Sequence, residues 1–215
     1  PTDTYNTAVG YSAGVAVTTG ISNTFVGGLA GDGTDDGNDN TGLGAYALSS
    51  NCGDSNTAVG RAALNAFTGS NATAIGSGAA DALTGASSPS GVDTVAVGYN
   101  ALGAAIQQGY CTAVGSQALL SATSGNSNTA VGALSLGTVD GTRNTAVGES
   151  ALNADCVSDN TAIGKSALGV FTGSNATVIG SYAASAATSA GYLTAIGRSA
   201  LGSMTDGTGN TAVGY

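Results

Sequence analysis

Residues 56–60 read NTAVG, and the same five letters return at 128–132 and at 144–148. Aligned on the glycine, the motif recurs at Gly10, Gly27, Gly44, Gly60, Gly76, Gly98, Gly115, Gly132, Gly148, Gly164, Gly180, Gly197 and Gly214. That is thirteen copies, spaced by 16 or 17 residues with one interval of 22. A short fixed period constrains the fold more than anything else in the chain, because each unit can bury its apolar face only against its neighbours.

The columns of this alignment carry the chemistry. The residue before the glycine is Val, Ile or Leu in all thirteen copies, and two before it is Ala in ten. Three before it is Thr in twelve, with Val95 the exception. Three after it is Ala in eleven of twelve, and four after it is Leu in eight of twelve. A helix would have to carry a glycine in every motif, at about 1 kcal/mol each. A strand suits TAVG better: the run is β-branched and alternates Thr and Val on one face with Ala on the other.

The Ala-Leu segment reads as a second short strand, and the Gly/Asn/Ser/Asp clusters between as turns. Two strands and two turns per unit make an all-β parallel β-solenoid of about thirteen coils, roughly 60 Å long at strand spacing. Residues 1–215 form a single repeat domain, and the 22-residue interval is read as a loop insertion at 84–93. The larger aliphatic residues are expected inside the coil: Val9, Val59, Ile75, Val114, Val131, Val147, Ile163 and Ile196, with Leu48, Leu64, Leu102, Leu119, Leu152, Leu168 and Leu201. The Ala column then faces outward and lets copies of the chain pack side by side, which implies a homo-oligomer.

NTAVGRAALNAFTGSNATAIGS from residue 56 matches NTAIGKSALGVFTGSNATVIGS from residue 160, an offset of 104, so a six-coil block has been duplicated. Neither terminus shows an atypical capping coil, which suggests a window from a longer array or a unit that stacks end to end.

Composition excludes several classes. Charged residues are 8% and aromatics 5%, while hydrophobic residues reach 42%, which is not the signature of disorder. The net charge is −9 with only four Lys and Arg, so nucleic acid and anionic membrane are poor partners. No apolar run of about 18 residues is present, so no membrane insertion is expected. Cys52 and Cys156 each follow an anchor glycine by eight residues, six turns apart. At strand spacing that is roughly 29 Å, beyond disulfide reach. Cys111 lies in another column, and all three read as unbridged thiols.

The pattern N-T-A-[VI]-G-x-x-A-L over the whole chain resembles the head repeats of trimeric autotransporter adhesins, and still more the repeat arrays of bacteriophage tail fibres. That resemblance implies a left-handed β-roll, a parallel homotrimer, an extracellular location on a virion fibre or cell surface, and attachment to a glycan or protein receptor. The coils here are longer than the usual adhesin-head repeat, and Thr stands where those heads favour an apolar residue.

Candidate sites are few. The acidic stretch DGTDDGNDN gathers Asp32, Asp35, Asp36 and Asp39, the one place able to offer several oxygens to a calcium ion, although a solvated acidic loop explains it as well. Arg61, Lys165, Arg198 and Glu149 directly follow an anchor glycine, as do Tyr11, Tyr99 and Tyr215, and this column is expected to face water. Catalysis has little to draw on: the chain has no His and a single Glu. No catalytic residue and no cofactor are expected. The function expected is a structural or adhesive fibre segment. The alternative is an ice-binding solenoid, in which the Thr column orders water on a flat face.

Overall fold

The computed structural model describes residues 4–84, 93–105, 109–122, 124–138, 140–189 and 191–215. It is an all-β parallel β-solenoid built on one thirteen-stranded sheet. The strands are Thr7–Val9 (β1), Thr24–Val26 (β2), Thr41–Leu43 (β3), Thr57–Val59 (β4), Ala72–Ile75 (β5), Thr94–Val97 (β6) and Thr112–Val114 (β7). They continue with Thr129–Val131 (β8), Thr145–Val147 (β9), Thr161–Ile163 (β10), Thr177–Ile179 (β11), Thr194–Ile196 (β12) and Thr211–Val213 (β13). They pair in sequence order, parallel, with motif on motif: Thr129 opposite Thr145, Ala130 opposite Ala146, Val131 opposite Val147. The expected loop insertion at 84–93 falls almost entirely outside the described residues.

Two expectations are overturned. The first is the direction of the strands. Ala58, Ala74, Ala113, Ala130, Ala146 and Ala162 are fully buried, whereas Ile75, Val114, Val131, Ile163 and Ile196 lie exposed, Val9 more so, and Val59 and Val147 half-buried. The Ala column therefore faces the interior and cannot be the packing face between copies. The reason is room. Leu48, Leu64, Leu102, Leu119, Leu152 and Leu168 are fully buried as expected, and Leu201 packs partly buried against them. Where a Leu fills the level, with a buried Ala beside it three after the glycine, the strand has space for one methyl.

The second concerns the Ala-Leu segment, which is a turn and not a strand. The residues two and four after the glycine take left-handed backbone angles, as at Ser150 (φ 54°) and Leu152 (φ 49°). Two such residues so close together curl the chain, and the turn is closed by the Ala151 N–H donating to Gly148 O at 3.3 Å. These angles also explain why the column holds Leu and never Val or Ile: a β-branched side chain is strained at positive φ. The turns are themselves laddered between coils, for example Leu152 N–H to Ala167 O at 3.0 Å.

The anchor glycine has a steric cause. Gly132 sits at φ 132°, and a Cβ built there would lie 2.6 Å from the backbone carbonyl group of Gly148 in the next coil. Successive anchors stack so closely that no side chain fits between them.

Behind each strand runs a column that sequence reading passed over. The residue four before the glycine is Asn in eight of thirteen coils. Asn40, Asn56, Asn128, Asn144 and Asn160 are buried. Each Oδ1 accepts the backbone N–H of the next coil's equivalent, as from Asn144 to Asn128 at 2.8 Å and from Asn160 to Asn144 at 3.0 Å. Each Nδ2 donates to a turn carbonyl in the next coil, such as Asn144 to Val157 at 2.8 Å. The ladder is interrupted at Ala72, Thr94, Cys111, Ala176 and Leu193, and Thr94 Oγ1 is buried without a hydrogen-bond partner.

Candidate functional site

With Ala turned inward, the other two strand positions form the outer face of the sheet. The first column is Thr from β1 to β13, with Val95 in β6 the single exception. The second is Val, Ile or Leu throughout. The strands are short and in exact motif register, so both columns run straight along the solenoid. At strand spacing the face is about 58 Å long and about 10 Å wide, a footprint of roughly 600 Å². None of its 26 positions is charged, on a chain of net charge −9. Aliphatic exposure along it is real: Ile75 is 42% exposed, Val131 37% and Ile196 39%. Exposed apolar patches beyond a few hundred Å² are uncommon on monomeric proteins and mark interaction sites.

Tyrosines stand along the rim. Tyr5 and Tyr11 lie two residues before and two residues after β1, Tyr99 two after β6, Tyr110 two before β7, Tyr192 two before β12 and Tyr215 two after β13. All six are exposed, and they stand near the two ends and the middle of the strand series. The Arg198 guanidinium lies over the Tyr215 ring at 5.4 Å and donates to its hydroxyl at 2.7 Å.

The column following the anchor glycine faces water as expected: Arg61, Glu149, Lys165, Arg198, Tyr11, Tyr99 and Tyr215 are all exposed. Lys165 Nζ and Glu149 Oε2 pair at 3.0 Å across adjacent coils, and Arg143 pairs with Asp159 in the same way at 2.7 Å. Both pairs are exposed, where ion pairs add little.

The acidic stretch is spread around its coil. Asp32 accepts from the Ser49 hydroxyl and Asp35 from the Thr18 hydroxyl, in the following and preceding coils respectively. Asp35, Asp36 and Asp39 are exposed, and Asp32 is half-buried. Among the described residues no three carboxylate or thiol groups stand together so as to hold a metal ion.

The three cysteines are buried and none forms a disulfide. Burial pushes each thiol above its usual range, Cys156 up to about 12. Thiols held neutral in this way are poor nucleophiles. Comparison with protein-family models, with curated proteins and with solved structures returned no match.

Proposed function

We propose that this chain is a non-enzymatic, structural segment of an extracellular or virion fibre, in which several copies run side by side and hold or present receptor-binding parts. The observation that carries this reading is the uncharged Thr/Val–Ile face extending along the whole solenoid. A self-complementary stripe with no titratable group suits side-by-side packing of rods better than it suits chemistry on a small molecule. The buried, neutral thiols and the paired surface charges agree with a structural role. Immunogold labelling of the source particles or cells with antibodies to this chain tests it. Label on filaments projecting from a surface is expected, and label confined to the cell interior overturns the reading.

One observation favours a second use of the same face. Thr hydroxyls and methyls repeat outward on it at strand spacing, about 4.8 Å, an arrangement able to order water as ice does. Thermal hysteresis and faceted ice crystals in a dilute solution of the protein would assign the face to ice.

A further inference from the structure

We propose that the Thr/Val–Ile face, with its tyrosine rim, is the surface on which a second copy of this chain docks. The inference rests on the fibre reading and deepens it by naming the face and the partner. Three observations converge on a second copy.

The first is charge. The chain carries −9 overall, so two copies repel one another wherever their acidic turns meet. On the Thr/Val–Ile face that repulsion is absent. It is a long surface on which like chains can approach without burying an unpaired carboxylate, a burial that is strongly unfavourable.

The second is area. A footprint of roughly 600 Å² on each of two copies buries about 1,200 Å², the lower edge of the range for specific interfaces. A pleated surface exposes more area than its footprint, and each rim tyrosine can add up to about 150–250 Å². The total then passes what a stable association needs.

The third is repetition and rim chemistry. Every coil presents the same Thr and aliphatic pair, so the face is self-complementary along its length, and an isologous contact between identical faces closes without leaving an unmatched patch. Tyr is enriched in protein interfaces, where a rigid ring buries area and its hydroxyl stays hydrated. Tyr99 and Tyr110 flank the face near its middle, and Tyr5 and Tyr11, with Tyr192 and Tyr215, flank its two ends. Anchors near the middle and both ends fix the register of two rods that could otherwise slide by whole coils.

Sedimentation equilibrium of the purified chain, mass 20.2 kDa, is the test. Particles of two chains are expected. Val131→Lys with Ile163→Lys should weaken self-association by roughly a hundredfold or more, because each lysine must be desolvated or exclude the partner. Tyr99→Ala should weaken it about tenfold. Ser124→Lys, exposed midway along the chain between β7 and β8 and away from the face, should leave it unchanged. Far-ultraviolet circular dichroism of each variant should match the parent, since all four side chains point to water, and Thr129→Lys serves if the double variant does not fold. A monomer at all concentrations overturns the proposal, as does an oligomer that Val131→Lys leaves intact. A monomer with thermal hysteresis that Val131→Lys abolishes also overturns it and gives the face to ice. In either case labelled filaments on a particle surface would leave the fibre reading standing, so the two failures are separable.

Discussion

The coils around Phe25 and those of β8 to β10 solve one packing problem in opposite ways. In β8, β9 and β10 the inward strand residue is Ala130, Ala146 or Ala162, and the turn that follows supplies a buried Leu136, Leu152 or Leu168. In β2 the inward strand residue is Phe25, itself fully buried. The turn positions that elsewhere hold Leu are there Gly14 and Gly31, and the inward residue of β3 is Gly42. A Cβ added at Gly31 would strike the Phe25 ring, and at Gly42 it would lie 3.0 Å from the ring. In these two regions the space between strand and turn thus accepts one large group, from the strand or from the turn, while Phe67 and Phe171 are buried at a separate position three residues after Leu64 and Leu168. Local volume between strand and turn is what these coils preserve, as expected of a core packed to crystal-like density.

What the two regions share is the anchor glycine, and its loss should have the largest effect. Gly132→Ala forces a Cβ to within 2.6 Å of the Gly148 backbone at a φ of 132°. Gly27→Ala meets the Gly44 backbone at the same 2.6 Å. Both should destabilise by about 4 kcal/mol or more, measured by urea unfolding, since strain and overlap combine. If Gly27→Ala is tolerated and Gly132→Ala is not, the Phe25 region has a looser backbone and the two are not variants of one cross-section.

Next in size comes the large side chain itself. Phe25→Ala and Leu152→Ala should each cost about 3–5 and 2–5 kcal/mol, through lost burial and the cavity left behind. The volume rule goes further. Adding Gly31→Leu to Phe25→Ala rewrites the region in the pattern of β8 to β10, and should recover about 1–3 kcal/mol. Gly31→Leu alone should be strongly destabilising, because the ring occupies that space. A double variant no more stable than Phe25→Ala would show that the two regions are separate solutions.

Much of this was legible in the sequence, and the exceptions have physical causes. The period fixes the parallel order and the register, because only one pairing stacks Gly60 on Gly76 and Gly132 on Gly148. The inward Leu column follows from hydrophobicity. The facing of the strands does not, since TAV offers an apolar residue to either side and the larger one is the natural choice for a core. What decides is the space left once Leu occupies the level, a quantity the sequence does not display. The turn at Ala-Leu did leave a trace. No Val, Ile or Thr occurs two or four residues after any anchor glycine, which is the mark of positive φ and argues against a strand there. The Thr/Val–Ile face could be read only after the facing was known.

The Asn ladder separates the regions at smaller amplitude. Asn144→Ala leaves the Asn160 N–H and the Val157 carbonyl without the partners they have at 3.0 and 2.8 Å. A loss of about 1–3 kcal/mol is expected, the desolvation penalty of buried polar groups left unpaired. At Ala72 the chain already carries alanine in this column, and Ala72→Asn should change stability by less. Equal responses in urea unfolding would mean that the ladder contributes nothing beyond the backbone.

The smallest effect concerns the thiols, which occupy equivalent places in the two halves of the duplication. Cys52 lies in the coil after β3, near the Phe25 region, 3.3 Å from the Thr34 hydroxyl, and Cys156 in the regular coil after β9. Burial raises both, with Cys156 taken from 9.0 to about 12. A folded value above the unfolded one means that the neutral thiol is favoured by folding. That contribution is complete below pH 9 and is lost as pH climbs toward 12, because the unfolded chain releases its proton first. Stability measured by urea should therefore fall across this alkaline window, and Cys156→Ala should flatten part of the fall. The hydroxyl of Thr34 works to lower the Cys52 value, so Cys52→Ala should flatten it less. In the native protein at pH 7 neither thiol should react with a maleimide within the time that unfolded chain is fully labelled. Rapid labelling of Cys52 with Cys156 protected would show that the coils near Phe25 open locally, and that one large ring holds its level less tightly than the Ala and Leu pair.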